Sequence, residues 1–136
     1  MKFDLFINFN GNCREAAEFY ARVFKVELKN LMTYADTPPD AGYTAPEADK
    51  DRIMYADITI GGVTLMFMDY PSGAETVIGG NIHPTVSFDD KEEVAGLFNE
   101  LKIGGEVCEE LQETFYSGCY GMVKDKFGVT WQILQS

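Results

Sequence analysis

His83 is the only imidazole in this sequence of 136 residues, and an imidazole can act as a general base or bind a metal ion near neutral pH. A metal site needs about three or four converging donors. The side chains expected on the same face as His83 are Thr85, Ser87 and Gln132, and none of them is a carboxylate. Three roles therefore stay open for His83: metal ligation, hydrogen bonding in a pocket, or an ordinary structural role.

Two aspartates and three tyrosines are further candidates for chemistry. Asp57 and Asp69 lie in strand-like runs, but the sequence identifies a partner for neither, and Asp57 also fits a solvated edge position. Tyr55, Tyr116 and Tyr120 carry phenol groups that can donate a hydrogen bond or a proton. Aromatic packing is the alternative interpretation for each of the three.

Motifs of nucleotide and hydrolase chemistry are absent from the sequence, which contains no P-loop, GxGxxG, GxSxG or HExxH pattern. The three cysteines, Cys13, Cys108 and Cys119, have no CxxC spacing. Neither a disulfide framework nor a zinc knuckle follows from them, and we interpret them as buried or idle thiols.

The two halves of the chain repeat one order of elements. An apolar run from Phe3 to Phe9 precedes a predicted helix from Cys13 to about Phe24, and a second run from Ile82 to Phe88 precedes a helix that ends near Gly104. Both helices have the spacing of a capping box at their start, in the pairs Asn12 with Glu15 and Asp90 with Glu93. The sequence predicts two β-α-β-β-β modules in a single domain, about residues 1–72 and 80–136.

The remaining strands are predicted by alternating or apolar runs between turn residues. Gly61-Gly62 is typical of a tight hairpin between two of them. The predicted strands are Lys25 to Met32, Ile53 to Ile60, Val63 to Tyr70, Glu106 to Leu111, Cys119 to Lys124 and Val129 to Leu134. In the segment from Tyr34 to Asp51, which includes the turn at Pro38 and Pro39, the apolar residues follow neither the helix nor the strand period. It fits a mobile lid or binding loop, or equally a solvated connector.

Alternation along the strands predicts which side chains face away from the helices. Gln132 and Thr85 take that side in the second module, while the first module places apolar residues there: Leu5, Ile7, Met66 and Met68, together with Thr64. We therefore expect an apolar pocket with a few polar anchors, which is the usual composition of a site for a small organic ligand.

The charge of the chain limits its partners. Eleven Lys and Arg against 22 Asp and Glu give a formal charge of −11, which disfavours nucleic acid and anionic membranes. No apolar run approaches the roughly 20 residues of a membrane span, and the first residues do not read as a signal peptide. We expect a cytoplasmic protein.

Three segments resemble the PhnB-like branch of the vicinal oxygen chelate superfamily, which includes glyoxalase I, extradiol dioxygenases and fosfomycin- and bleomycin-resistance proteins. They are the opening from Asn8 to Tyr20, the segment from Leu65 to Asp69, and the Asp-x-Phe-Gly-x-x-Trp close from Asp125 to Trp131. The resemblance implies an α+β fold of two β-α-β-β-β modules that form a cupped mixed sheet around a cavity, and a homodimer.

In metal-dependent members of that superfamily, four positions facing the cleft hold His or Glu. The resemblance places them at Leu5, Met66, His83 and Gln132, so His83 is the only strong metal donor. Many PhnB-like sequences also carry His where this chain has Tyr55. Older labels of the branch name a ubiquinone methyltransferase, but the chain has no Gly-rich loop for S-adenosylmethionine.

We accordingly expect no cofactor, a divalent metal being disfavoured, and a small, partly apolar organic ligand in the cleft. The expected ligand-binding residues are His83, Gln132, Met66, Leu5, Thr85 and Tyr55. The alternative is a metal-dependent lyase, isomerase or dioxygenase that uses His83.

Overall fold

The computed structural model describes residues 1–38 and 40–136 and divides into two compact units, residues 1–76 and 77–136. Pro39, in the segment predicted as a loop, lies outside the described residues. The N-terminal unit is one four-stranded mixed sheet with one helix, and its strand order is β1-β4-β3-β2 with β1 parallel to β4. Its elements are β1 (Leu5–Phe9), α1 (Cys13–Val23), β2 (Lys29–Thr33), β3 (Ile53–Ile60) and β4 (Val63–Asp69), with 3₁₀ turns at Tyr34–Asp36 and Glu47–Asp49.

The C-terminal unit has the same topology. Its strand order is β5-β8-β7-β6, with β5 parallel to β8 and the other pairs antiparallel. Its elements are β5 (Thr85–Phe88), α2 (Lys91–Leu101), β6 (Glu106–Gln112), β7 (Tyr120–Lys124) and β8 (Thr130–Gln135). The predicted repeat of β-α-β-β-β modules and the α+β class are confirmed. That the two modules share one domain and enclose a cavity stays a prediction.

Two strands begin three or more residues later than predicted, for local reasons. The strand expected from Lys25 begins only at Lys29, because Lys25 takes a left-handed conformation (φ 55°) that ends α1. The strand expected from Ile82 begins at Thr85, and Pro84, which has no N–H to donate, directly precedes it. The predicted hairpin at Gly61-Gly62 is confirmed, with both residues at positive φ (53° and 84°).

Helix α1 is not capped as predicted. Asn12 makes no side-chain hydrogen bond to the helix, so the expected capping box with Glu15 is wrong. The carboxylate of Asp69, at the end of β4, accepts the backbone N–H groups of Gly11 and Cys13 at 2.7 and 3.0 Å instead. Asp90 does cap α2, but through the N–H of Glu92 at 2.8 Å and not through Glu93 as the predicted capping box requires. A side chain distant in sequence therefore satisfies the start of α1.

The core of each unit lies between its helix and its sheet. Ala16 and Ala17 are completely buried in α1, and their small side chains allow a close approach to the sheet. The ring of Tyr20 stacks on that of Phe67 in β4, with centroids 5.6 Å apart. In the C-terminal unit the buried hydrophobic side chains between the helix and the sheet are Val94, Leu97, Phe98, Leu101, Val123, Trp131 and Ile133.

Both ends of the segment over residues 34–51 are held by hydrogen bonds. The hydroxyl of Tyr34 donates to the carbonyl oxygen of Asp69 at 2.8 Å. The buried carboxylate of Asp49 accepts the backbone N–H of Ser72 at 3.2 Å. The role of this segment as a lid or as a connector stays a prediction.

All three cysteines are free thiols, as predicted, although only Cys13 is buried and Cys108 is exposed. Burial strongly raises the pKa of the Cys13 thiol, so this side chain acts as an apolar core residue. None of the helices among the described residues has the length and apolar character needed to span a bilayer.

Candidate functional site

Three side chains on the open face of the C-terminal sheet form one hydrogen-bonded chain; in each unit the open face is the side of the sheet opposite its helix. The hydroxyl of Tyr120 donates to Oε1 of Gln132 at 3.4 Å. Gln132 Nε2 lies 3.2 Å from His83 Nδ1, and His83 Nε2 lies 3.0 Å from the carbonyl oxygen of Gly80. The predicted pair of His83 and Gln132 is therefore in direct contact, and Tyr120 extends it.

The partners of His83 fix its tautomer. The carbonyl oxygen of Gly80 can only accept, so Nε2 of His83 carries the proton. Nδ1 then accepts from the amide of Gln132, whose oxygen is left to accept from Tyr120. Each of these three hydrogen bonds joins a donor to an acceptor, and both ring nitrogens of His83 are engaged.

Thr85 completes the predicted polar group of this face. It pairs with Gln132 where β5 runs parallel to β8, and its hydroxyl donates to the carbonyl oxygen of His83 at 3.2 Å. Met122 pairs with Gln132 on the other side, from β7. Because residues paired across neighbouring strands point to the same face, Thr85, Gln132 and Met122 form a row on the open face.

Tyr120 is the member of the chain that was not among the expected ligand-binding residues. Burial, and secondarily the carboxylate of Glu109, raises the pKa of its hydroxyl above the ordinary value, which keeps it a hydrogen-bond donor. The ring of Tyr116 meets that of Tyr120 edge-to-face, with centroids 5.8 Å apart. The register of the hairpin formed by β7 and β8 places Tyr120 near Gln132.

The open face of the N-terminal sheet carries Met66 between an aromatic side chain and a carboxylate. Met66 pairs with Phe6 of β1 on one side and with Asp57 of β3 on the other. The ring of Tyr55 meets that of Phe6 edge-to-face, with centroids 6.3 Å apart. Of the expected ligand-binding residues, Met66 and Tyr55 are thus on this face, and Phe6 and Asp57 join them.

Leu5 lies on the opposite face, so its predicted placement beside Met66 is wrong. Leu5 pairs with Leu65, and Ile7 pairs with Phe67, whose ring packs against α1. The same register puts Ile7 on the helix side as well. The apolar run of β1 does not show which face is which, because residues of both parities are hydrophobic.

The model of a family described as 3-demethylubiquinone-9 3-methyltransferase matches residues 1–134 of the chain. The chain belongs to this family. Protein YjdN of Escherichia coli strain K12 is 30% identical over 135 residues, which cover 94% of this chain and 90% of YjdN. PA1353 from Pseudomonas aeruginosa is 31% identical in sequence, and its crystal structure matches with a TM-score of 0.87. The match covers 100% of this chain and 98% of PA1353.

More distant structures share the fold. The PhnB protein from Bacillus cereus, a putative 3-demethylubiquinone-9 3-methyltransferase, is 23% identical with a TM-score of 0.81 and full coverage of both chains. The fosfomycin resistance protein FosX from Listeria monocytogenes is 13% identical with a TM-score of 0.64, and the match covers 100% of this chain and 93% of FosX. The predicted resemblance to the PhnB-like branch of the vicinal oxygen chelate superfamily is confirmed.

The family resemblance placed the metal-ligand positions at Leu5, Met66, His83 and Gln132. The internal repeat of this PhnB-like chain corrects the first of these four positions. Phe9 and Phe88 end β1 and β5 at equivalent points of the two parallel pairings. Counting back from them, Asp4 rather than Leu5 is equivalent to His83. Asp4 also has the parity of the open face.

The residues at these positions do not fit a divalent metal ion. One oxygen of Asp4 accepts the backbone N–H of Thr64 at 2.9 Å, and the other pairs with Lys2 at 3.0 Å. The hydrogen bond from Thr64 lowers the pKa of Asp4. Met66 offers a thioether, a poor ligand for a hard ion, and both nitrogens of His83 are engaged. Within residues 1–38 and 40–136, no group of three or more His, Cys, Asp or Glu is arranged to hold a metal ion.

Proposed function

We propose that this PhnB-like protein binds a small, partly apolar organic molecule on the open faces of its sheets, without a metal ion. The observation that carries the proposal is the hydrogen-bonded chain of Tyr120, Gln132 and His83 on the C-terminal sheet. Polar side chains that hold one another in fixed orientations are suited to orient a ligand, because their rotamers are already set.

The chain leaves specific groups for a ligand. One amide N–H of Gln132 is used by His83, so its second N–H is available to a ligand oxygen. The exposed hydroxyl of Thr85 can accept while it donates to the backbone. Met122 and Leu134 flank these groups on β7 and β8 and supply apolar contact. Binding of a hydroxyl or carbonyl attached to an apolar body follows from this composition.

On the N-terminal sheet, Met66 and Tyr55 are the proposed ligand contacts, and Leu5 is not, since it faces α1. Metal-dependent chemistry through His83 is not part of the proposal. A metal at His83 would displace either Gln132 or the carbonyl of Gly80 from the imidazole. Methyl transfer is not proposed either, because the chain lacks the Gly-rich loop that would hold S-adenosylmethionine.

Solution NMR of the full chain with benzyl alcohol tests the proposal. We expect saturable chemical-shift changes at the Gln132 side-chain amide and the Met122 methyl group. Gln132→Leu keeps the volume but removes both hydrogen bonds, and we expect at least a tenfold rise in Kd. The matched control is Asn99→Leu, an exposed amide on α2, which should leave the Kd unchanged.

Three outcomes would contradict the proposal. They are no saturable shift at the open face, an equal Kd in wild type and Gln132→Leu, or binding that is lost after dialysis against a chelator and restored by Mn²⁺ or Zn²⁺. The last outcome would favour the metal-dependent enzyme.

The same proposal includes a homodimer, which the family resemblance implies, and the expected cytoplasmic location. Light scattering across a hundredfold range of concentration tests the dimer. A constant monomer mass would overturn it.

A further inference from the structure

Asp57 is a buried carboxylate on the open face of the N-terminal sheet. It is 6% exposed and lies in β3 between Lys29 of β2 and Met66 of β4. One oxygen accepts the side-chain amide of Asn30 at 2.8 Å. Asn30 reaches it from a bulge in β2, where its backbone takes a left-handed conformation (φ 55°).

This carboxylate has no cationic partner within residues 1–38 and 40–136. Lys29 is directly across from it, but the ammonium group of Lys29 lies 4.0 Å from the carboxylate of Glu27 instead. The other buried carboxylates differ: Asp49 pairs with Arg52 at 3.4 Å, and Asp69 and Asp125 each accept three N–H groups. A buried charge without an opposite charge is costly, so Asp57 would gain most from a bound cation.

The surroundings of Asp57 are suited to an organic cation. Tyr55 lies two residues before it on the same face, and burial, followed by the interaction with the carboxylate of Asp57, raises the pKa of the Tyr55 hydroxyl. Phe6, which is 41% exposed, presents its ring beside Tyr55. Aromatic rings attract cations through their faces, and Met66 adds a polarisable thioether. The formal charge of −11 also favours cations over anions near the protein.

We propose that the open face of the N-terminal sheet binds an organic ammonium ion, with its nitrogen at Asp57 and its apolar part against Phe6, Tyr55 and Met66. This inference rests on the proposed function, because it names the chemical class of ligand for one of the two open faces. It assigns to Asp57 the role of charge recognition, in addition to its hydrogen bond with Asn30.

Three probes of nearly equal shape and different charge test the inference: benzylammonium, benzyl alcohol and benzoate. Binding to this face is followed by NMR of the methyl groups of Met66 and Met68, while the methyl group of Met122 reports binding to the open face of the other unit separately. At pH 7 we expect benzylammonium to bind at least tenfold more tightly than either other probe. Raising the salt concentration should weaken the binding of benzylammonium and leave the binding of benzyl alcohol unchanged.

Asp57→Asn removes the charge and retains the shape. We expect this substitution to raise the Kd of benzylammonium at least tenfold and to leave the Kd of benzyl alcohol unchanged. Asp51→Asn, an exposed position in the same unit, is the matched control and should leave both affinities unchanged. If Asp57→Asn does not fold by circular dichroism, Phe6→Leu replaces it, and this variant should weaken benzylammonium more than benzyl alcohol.

Equal affinity for the three probes would overturn the inference but leave the proposed function intact. Asp57→Asn with altered stability and unaltered benzylammonium binding would also overturn it, since Asp57 would then only hold Asn30. Failure of all three probes, and of benzyl alcohol at Gln132, would overturn both proposals.

Discussion

The buried carboxylate of Asp125 accepts the indole N–H of Trp131, with Oδ2 2.8 Å from Nε1. Its other oxygen accepts the backbone N–H groups of Phe127 and Val129 at 2.9 and 3.1 Å. One carboxylate therefore holds the turn between β7 and β8 and the tryptophan of the core. These hydrogen bonds give the closing Asp-x-Phe-Gly-x-x-Trp motif a role in folding.

We expect Asp125→Asn to lower the free energy of unfolding by about 1–3 kcal/mol, because the amide nitrogen would face a donor where an oxygen now accepts. Urea denaturation followed by Trp131 fluorescence measures the change. Glu110→Gln, an exposed carboxylate in the same unit, is the control and should stay within about 0.5 kcal/mol. Similar stabilities of the two variants would contradict this account of the motif.

Asp69 stabilises the start of α1, and Asn12 does not. Asp69→Asn should therefore cost about 1–3 kcal/mol, since its oxygens accept the N–H groups of Gly11, Cys13 and Ile53. Asn12→Ala should change stability by less than about 0.5 kcal/mol, although a helix N-cap ordinarily contributes more. Thermal and urea unfolding of the two variants test the contrast, and a larger effect at Asn12 would reverse the assignment.

Local patterns in the sequence were sufficient to predict the order of the elements. The hairpin at Gly61-Gly62 needs positive φ at both residues, and helix α1 needs small and apolar residues at positions such as Ala16, Ala17 and Tyr20. Both requirements are met within a few neighbouring residues. For the same reason the β-α-β-β-β repeat follows from the sequence alone.

The face of β1 and the partners of the polar groups were not predictable in this way. In β1, Leu5, Phe6 and Ile7 are all apolar, so only pairing with β4 determines which of them lies on the open face. The contact of Tyr120 with Gln132 likewise depends on strand register. Long-range pairing therefore fixes the candidate site, while short-range patterns fix the fold.

Two glycines in the C-terminal unit should respond oppositely to alanine. A Cβ at Gly121 in β7 would lie 2.8 Å from the ring of Phe98, which is completely buried and has no room to move. Gly121→Ala should thus cost about 1–3 kcal/mol through overpacking. Gly96 lies within α2, and a Cβ there would meet no atom within 4 Å, so Gly96→Ala should stabilise by about 0.5–1 kcal/mol. Urea unfolding of both variants gives the signs, and a stable Gly121→Ala would contradict the packing of α2 on β7.

The hydroxyl of Tyr120 should ionise above the ordinary tyrosine pKa of 10.0, because burial and the nearby carboxylate of Glu109 disfavour the phenolate. The folded state then holds this proton more tightly than the unfolded state. The contribution of the group to stability is complete below about pH 10 and is lost as the pH rises through the pKa of the folded state. The hydrogen bond from Tyr120 to Gln132 should accordingly persist from pH 7 to 9.

A titration of the tyrosine Cζ signals by ¹³C NMR, with Tyr120 assigned through Tyr120→Phe, measures this pKa directly. Between pH 9 and 11 the wild type should lose more stability than Tyr120→Phe, because the variant lacks the phenol and other ionisations are common to both. A Tyr120 signal that titrates at or below pH 10 would show that the hydroxyl is solvated. The polar chain from Tyr120 through Gln132 to His83 would then lack its first donor at high pH, and benzyl alcohol should bind more weakly there.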